Sequence, residues 1–339
     1  MKESAAIQPL LALLRMALWE RPEAFDPVSD AQWLEVLAES RRQAVAGLVC
    51  SGIGQLDKSL MPSTAVRISF LAELDTIEKR SAYVEKVADR LVAMFRSKGF
   101  SPVVQKGPAI ARLYPHPMQR SSGDIDLYFN LSEFKAAQSM VESDGIQVNG
   151  APDGSINYIW NNVTVEHHRE FFDSPDMFKG VEVPSAEADM LLLSSHILKH
   201  AVGSGIGLKQ FCDMAVACSA LDGRYDLNGF LARLEDAHLV RWQRMLDTFL
   251  LDYLGVEERF LPTLSAGMKR MDAAPLLKIV LSGGNFGHYH PARHTDAAEK
   301  VRKRSTFMLF VRRFPFAMKV APREWLRIVS SLTKGNLRH

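Results

Sequence analysis

Two aspartates separated by one residue are the part of the sequence best suited to chemistry. Asp124 and Asp126 lie in the run SGDIDL, residues 122–127. Alternate residues of a strand point to opposite faces, so both carboxylates would project to one face while Ile125 and Leu127 project to the other. Neighbouring carboxylates repel each other, and a hard divalent cation is the usual compensation. The run therefore predicts a site for Mg²⁺ or Mn²⁺ that suits phosphoryl transfer.

An Asp-x-Asp pair by itself is equally typical of an exposed strand end, so its surroundings decide the interpretation. Ser122 and Gly123 directly precede the pair, and a glycine there lets the backbone approach a bound anion closely. Lys106 and Gly107 lie at a predicted strand-to-helix junction, where exposed N–H groups and an ammonium attract phosphate. Glu166 supplies a third carboxylate on another predicted strand. These three features favour an active site.

Two further residues are candidate contacts to a triphosphate. Arg120 lies four residues before Asp124 and could reach a triphosphate or an acceptor. His168 shares a strand face with Glu166 and could hydrogen-bond that acid or contact phosphate. The alternative for His168 is a half-buried histidine that fills the face of the sheet. The sequence leaves both alternatives open.

The hydrophobic pattern places these residues in the middle of three regions. Apolar residues recur at helical spacing along the first 97 residues, and short β-like runs begin at Phe100. After Pro184 the helical pattern returns. The predicted class is α+β, with a small mixed β-sheet core at 99–183, an N-terminal helical region at 1–98 and a C-terminal helical region with a basic tail at 184–339.

Within the core, Asn161-Asn162 separates two β-like runs and favours a tight hairpin, because asparagine tolerates positive φ. That hairpin would place Asn157 opposite Glu166. The predicted elements are strands at 101–105, 124–129, 156–160 and 163–168, with helices at 110–114 and 131–141. Downstream helices are predicted at 208–221, 227–254, 273–281, 297–312 and 322–334.

Composition limits the class of protein. The 339 residues are 47% hydrophobic and 24% charged, which is ordinary for a globular chain. Apolar runs such as 307–311 are far shorter than the roughly 20 residues that cross a bilayer. The first residues carry no recognisable leader, and none of the three cysteines belongs to a CxxC pair. We expect a cytoplasmic protein with no membrane span.

The C-terminal end is strongly basic. Residues 300–339 contain eleven Lys or Arg and one acid, Glu324, which gives this segment a net charge of +10 and the remainder −8. Such a segment could bind nucleic acid, anionic lipid or another anionic partner. The alternative is a solvated helix that packs on the core through Trp325 and Leu326.

A histidine pair stands in the helical region after the core. His196 and His200 are four residues apart and would share one helix face. A metal site would need a third ligand, and the sequence offers none at suitable spacing. Buried, hydrogen-bonded histidines and a position lining a cleft beside Asp213 are the remaining interpretations.

Several motifs together resemble a known family. The sequence is similar, over roughly residues 30–330, to the uncharacterised nucleotidyltransferase family of bacterial polysaccharide clusters, a branch of the polymerase-β-like superfamily. The segments that carry the resemblance are KGPAIARLYP at 106–115, RSSGDIDL at 120–127, HILKH at 196–200, GIGLKQFCD at 205–213 and GGNFG at 283–287.

The resemblance implies where the metal and the nucleotide bind. Asp124 and Asp126 would hold the metal, and Glu166 would supply the third acid. The superfamily usually has Gly-Ser or Gly-Gly shortly before the acids, whereas Lys106-Gly107 stands further upstream here. This departure leaves open how the triphosphate is bound: Lys106 with Ser122 is the expected contact, and Ser121 could take the place of Ser122.

The implied activity is Mg²⁺-dependent transfer of a nucleotidyl group from an NTP to an unidentified hydroxyl or phosphate acceptor. The family's association with polysaccharide clusters points to surface-polysaccharide assembly. A toxin-like modification of protein or tRNA is a second enzymatic reading, and the basic tail would suit tRNA. A non-catalytic module that binds nucleotide or a partner on the same scaffold is the third.

Overall fold

The computed structural model describes most of the chain. The described residues are 5–151, 154–169, 176–178, 181–203, 205–289, 308–323 and 325–326. The helices predicted at 297–312 and 322–334 fall largely outside these ranges, although residues 308–312 are helical. Most of the basic tail also lies outside, so its partner remains a prediction.

Four helices precede the sheet, as the apolar periodicity predicts. The second helix begins with a capping box, in which Ser29 and Gln32 satisfy each other's backbone N–H groups. The fourth is 34 residues long and ends just before Gly99, whose φ of 86° favours glycine. Their bounds are α1 Ile7–Trp19, α2 Asp30–Arg42, α3 Ala46–Gly54 and α4 Thr64–Ser97.

A mixed seven-stranded sheet forms the core, in the order β3-β4-β5-β2-β1-β7-β6. The β2–β5 and β1–β7 pairs are parallel, and the remaining pairs are antiparallel. The predicted α+β class with a mixed sheet is thereby confirmed. The strands are β1 Val103–Gln105, β2 Asp124–Tyr128, β3 Asn149–Gly150, β4 Ile156–Trp160, β5 Val163–His168, β6 Asp176–Phe178 and β7 Val181–Val183.

The β4–β5 hairpin has the predicted turn and register. Asn161 and Asn162 both adopt positive φ, 46° and 56°, as the two central residues of a type I′ turn require. Asn157 consequently lies opposite Glu166. The turn therefore fixes which face of β5 carries the acid.

The predicted bounds of two helical stretches were wrong. The helix after β1 runs over Gly107–Ala111 rather than 110–114, because the Ile110 N–H already donates to the Lys106 carbonyl. The stretch 227–254 is two helices, because His238 adopts a φ of 58° that interrupts the helix. The helices after β1 are α5 Gly107–Ala111, α6 Leu131–Ser143, α7 Ala186–Val202, α8 Leu208–Ala220, α9 Leu227–Asp236, α10 Val240–Leu254, α11 Pro262–Ser265, α12 Ala274–Gly283 and α13 Phe314–Val320.

Two apolar clusters hold the protein together. In the first, the sheet buries one face against α4 and α6, with Ile125, Leu127 and Phe95 fully enclosed. In the second, helices from both ends of the chain share one core, which includes Trp33 of α2 and Trp242 of α10. The opposite, polar face of the sheet is thus left to face α7 and α8. None of the described helices combines the length and apolarity that a bilayer crossing requires.

Candidate active site

One row of side chains crosses four strands on the polar face of the sheet. Strand pairing aligns Gln105 with Asp126, Asp126 with Glu166, and Glu166 with Asn157. Adjacent strands lie about 4.8 Å apart, whereas residues i and i+2 of one strand lie roughly 6.6 Å apart. Strand geometry therefore places Asp126 closer to Glu166, on the neighbouring strand, than to Asp124, on its own strand.

Asp126, Glu166 and His168 bring their ligand atoms within 4.8 Å of one another. His168 Nε2 donates a hydrogen bond to Asp126 Oδ1 at 2.7 Å and lies 3.7 Å from Glu166 Oε2. Asp124 lines the same cleft but does not belong to this group. The sequence predicted Asp124, Asp126 and Glu166 as the converging set, and the structure assembles a different trio around Asp126.

Lys106 reaches the same aspartate from the junction between β1 and α5. Its Nζ donates to Asp126 Oδ1 at 3.1 Å, and its backbone has a φ of 45°. Gly107 follows with a φ of 21°, and a Cβ there would lie 3.2 Å from the Asp124 carbonyl oxygen. The glycine therefore lets α5 begin close against β2, and this brings the ammonium beside the acids.

Burial and these contacts set the charge of each group. Burial opposes the ionisation of Asp126, but the Lys106 ammonium and the hydrogen bond from His168 outweigh it and lower the pKa of Asp126. Burial also opposes the charge on Lys106, whose pKa is nevertheless raised by Asp126, Glu166 and Asp124. Burial and the charge of Asp126 raise the pKa of Glu166. Glu166 is therefore a stronger base than an exposed glutamate.

A cleft of about 430 Å³ separates this acidic wall from a basic and aromatic wall on α7 and α8. Lys209 is held there by the first turn of α8, and its Nζ donates to the Ser121 carbonyl at a long 3.4 Å. Burial and the nearby Arg120 lower the pKa of Lys209. The second wall also carries Lys199, His196, His200, Gln210 and Phe286.

A buried ion pair joins the two walls at the base of the cleft. Arg120 donates to both carboxylate oxygens of Asp213, at 2.6 and 2.8 Å, and Tyr114 donates to the same carboxylate at 2.7 Å. Arg120 and Asp213 are 4% and 3% exposed. The guanidinium that was predicted to contact the triphosphate or an acceptor thus has a buried partner, and it ties the segment before β2 to α8.

Sequence comparison assigns the chain. A family model described as an uncharacterised nucleotidyltransferase matches residues 29–250, about two thirds of the chain. The chain belongs to this nucleotidyltransferase family. No curated protein matches it. The residues of both walls of the cleft, apart from Phe286, fall within the matched range.

A solved structure offers a weaker likeness. The crystal structure of the Megavirus polyadenylate synthase matches with a TM-score of 0.30 and 10% identity, and the match covers 68% of this chain and 51% of that chain. This nucleotidyltransferase thus spans about half the length of that protein. Its family membership rests on the sequence match.

Most of the site residues predicted from the sequence of this nucleotidyltransferase meet in the cleft, but two do not. Ser122 lines a separate cavity of about 260 Å³ on the other side of α5, together with Pro108 and Arg112. Gly123 directs its carbonyl oxygen to the Arg80 side chain at 3.3 Å. The predicted residues that line the cleft are Lys106, Gly107, Arg120, Asp124, Asp126, Glu166 and His168.

Lys209 and Phe286 were not singled out from the sequence. Both lie in segments that carry the family resemblance, but a lysine and a phenylalanine in helical or turn sequence look like ordinary surface and core residues. His196 and His200 do line the cleft, beside Asp213, as one interpretation of their spacing predicted.

Proposed function

We propose that this nucleotidyltransferase transfers a nucleotidyl group from an NTP to a hydroxyl or phosphate acceptor, with Mg²⁺ or Mn²⁺ as cofactor. The observation that carries the proposal is the opposition of two walls in one cleft: Asp124, Asp126 and Glu166 on the sheet, and Lys209 on α8. Carboxylates that hold a divalent cation and cations that hold phosphate are the two requirements of phosphoryl transfer.

The donor set fits a hard divalent cation. Asp126 and Glu166 offer carboxylate oxygens, which Mg²⁺ prefers, and their ligand atoms are within 4.8 Å of each other. Both hydrogen bonds to Asp126, from Lys106 and His168, go to Oδ1, so Oδ2 is the oxygen to offer to a cation. Because His168 donates through Nε2, we assign it to orienting Asp126 rather than to binding the metal.

We assign the metal to Asp126, flanked by Asp124 and Glu166. When bound, the ion supplies positive charge that stabilises the developing charge on the phosphate oxygens. Asp126 is the most enclosed of the acids, with a side chain 6% exposed. Its enclosure and its two hydrogen bonds fix its orientation before substrate arrives.

Glu166 is the proposed proton acceptor for the attacking hydroxyl. Its side chain is 37% exposed to the cleft, and its raised pKa makes it the more basic partner of Asp126. The acceptor oxygen forms a bond to the α-phosphorus, the bond from that phosphorus to the β-phosphate oxygen breaks, and pyrophosphate leaves. The acceptor's proton passes to Glu166.

Lys106 and Lys209 are the proposed contacts to the triphosphate. The Lys209 ammonium is half-buried and its hydrogen bond to the Ser121 carbonyl is long, at 3.4 Å, so an anion in the cleft would stabilise it. Arg120 fits a positioning role, because Asp213 already occupies its guanidinium. Ser122 would reach the triphosphate only by a change at the start of β2.

The acceptor is proposed by analogy with the family. Its association with polysaccharide clusters favours a glycoconjugate acceptor in surface-polysaccharide assembly, in the cytoplasm where NTPs are present. Arg312, Lys319 and Arg323 are exposed basic residues of the described C-terminal part, and they leave an anionic acceptor or partner open.

The test is a screen of the four NTPs with Mg²⁺ or Mn²⁺, with pyrophosphate release as the readout in the presence of cell extract. We expect metal-dependent release with at least one NTP, and transfer of α-phosphate label to an acceptor. The matched variant Asp126→Asn should be inactive, whereas Glu142→Gln on α6 should match the parent. Nucleotide binding that needs no metal and yields no product would instead favour a non-catalytic module.

A further inference from the structure

An aromatic wall stands at one end of the cleft, apart from the acids. The rings of His196 and His200 lie 4.5 Å apart between centroids, on one face of α7. The Phe286 ring lies 4.9 Å from His200 and 6.2 Å from His196. All three side chains are partly exposed and line the cleft. The cleft thus offers a ligand the faces and edges of three neighbouring rings.

The turn that carries Phe286 is held in an unfavourable backbone conformation. Phe286 has a φ of 50°, a region that bulky residues rarely adopt. Gly284 and Gly287 on either side also have positive φ, 60° and 68°. Such strain persists where the surrounding structure fixes it, and it concentrates at ligand-binding sites. This backbone conformation directs the Phe286 ring towards the cleft instead of towards solvent.

A buried hydrogen-bond acceptor lies beside this wall. Gln210 is 4% exposed and lines the cleft, and its Nε2 donates to Asn285 Oδ1 at 3.0 Å. Its Oε1 is buried with no hydrogen-bond partner among the described residues. A buried, unsatisfied carbonyl oxygen is costly, so a donor from a bound ligand would stabilise it.

The chemistry of the wall suits a nucleobase better than phosphate. Rings bind the flat face of a base by stacking, and every base has such a face. The free Oε1 of Gln210 would repel phosphate oxygens, whereas it would accept a hydrogen bond from an amino group. The phosphates have their own partners in Lys106 and Lys209.

We propose that His196, His200 and Phe286 stack on the base of the NTP, and that Gln210 Oε1 accepts a hydrogen bond from an exocyclic amino group of that base. The substrate is therefore an NTP whose base carries an exocyclic amino group, which admits ATP, CTP and GTP and excludes UTP. This inference rests on the proposed function of the same cleft. Asn285 and Phe286 lie beyond the matched range 29–250, so this subsite is completed by residues outside the family match.

The test compares nucleotides that differ at that one group. Binding of ATP and ITP, of CTP and UTP, and of GTP and ITP is measured by calorimetry with Mg²⁺ and without acceptor, and inorganic tripolyphosphate serves as the base-free probe. We expect the amino member of at least one pair to bind about tenfold more tightly, the effect of leaving one buried polar group unpaired. Equal binding within all three pairs, or preference for the members without the amino group, overturns the proposal.

Two variants and a matched control assign the effect to the named residues. Gln210→Met keeps the approximate size of the side chain but removes the acceptor, together with the Nε2 hydrogen bond to Asn285, and should bring the two members of the preferred pair to within about twofold. Phe286→Ala should weaken nucleotide binding by about tenfold or more, as loss of one stacking partner does. It should leave tripolyphosphate binding unchanged. Tyr289→Ala removes an exposed ring of the same turn that does not line the cleft, and should change neither.

The outcomes separate this inference from the proposed function. If tripolyphosphate and all five nucleotides fail to bind, the proposed function and this inference both fall. If nucleotides bind with Mg²⁺ but the matched pairs are not distinguished, the proposed function stands and this inference alone is overturned. Circular dichroism of each variant verifies that the fold is retained.

Discussion

Asp126 and Glu166 lie directly opposite each other on the parallel strands β2 and β5, although forty residues separate them in sequence. The β2–β5 register places both residues on the polar face of the sheet, next to the paired residues Asp124 and Thr164. Two carboxylates this close repel each other, which favours a cation between them or a proton on one of them. That relationship, more than the Asp-x-Asp spacing, defines the acidic wall.

Glu166→Gln is expected to abolish most of the activity while leaving the fold intact. The substitution keeps the shape of the side chain but removes the proposed proton acceptor and a carboxylate oxygen, so turnover should fall by about 100-fold or more. The measurement is metal-dependent pyrophosphate release at saturating NTP. Thr164→Val, on the same strand face, is the control and should retain activity. Parental turnover in Glu166→Gln would contradict the assignment.

Arg120→Met is expected to destabilise the protein strongly. Asp213 would remain buried with its charge unpaired by Arg120, a loss of about 3–5 kcal/mol in the free energy of unfolding. Urea denaturation followed by circular dichroism measures it. The double variant Arg120→Met/Asp213→Leu should lose less than the sum of the two single variants, because both charges are removed. A stable Arg120→Met protein with weakened NTP binding would instead identify Arg120 as a phosphate contact.

Lys209→Met is expected to weaken nucleotide binding without destabilising the protein, the reverse of the effect expected for Arg120→Met. Removal of an ammonium that burial disfavours should leave the free energy of unfolding unchanged or higher. Affinity for NTP and for tripolyphosphate should both fall, by about tenfold, since charge-assisted hydrogen bonds to phosphate are lost. Lys135→Met, on α6 and away from the cleft, is the control. Unchanged tripolyphosphate affinity in Lys209→Met would refute a phosphate contact.

His167 is expected to make stability depend on pH. It is fully buried among Phe95, Phe129 and Tyr158, and burial followed by the charge of His168 lowers its pKa from 6.5 to about 3. Between those two values the unfolded chain binds a proton that the folded protein does not. The stabilising contribution is therefore complete above pH 6.5 and decreases as the pH falls towards about 3.

His167→Phe removes this titration and keeps an aromatic ring in the cluster. At pH 5 the parent should have lost about 2 kcal/mol, relative to pH 7, that the variant does not lose. Urea denaturation across pH 4.5–7.5 measures both slopes, and exposed His116→Gln should follow the parent. Parallel curves for the parent and His167→Phe would show that His167 does not titrate abnormally.

Local sequence determined the features that depend on neighbours along the chain. Strand alternation assigned Asp124 and Asp126 to one face and Ile125 to the other, and this is what the structure has. The Asn161-Asn162 turn fixed the register that places Asn157 against Glu166. Helix periodicity predicted helices in the stretches that form α1, α2 and α4, since a buried stripe recurs with the helical repeat. His238 escaped prediction because a single positive φ leaves no periodic signal.

Packing between distant segments decided the rest of the site. Sequence spacing alone cannot show that α8 places Asp213 in an ion pair with Arg120, 93 residues away. This ion pair gives the arginine a buried partner in place of the expected phosphate. The same packing brings Lys209 and Phe286 to face the acids, and the path of α5 puts Ser122 in a different cavity. Strand alternation is local, so the amino-acid sequence determined that Asp124 and Asp126 share a face, whereas the pairing of β2 with β5 placed Glu166 beside Asp126. Only the tertiary structure determined the opposite wall, because its members meet through the burial of apolar faces far apart in the chain.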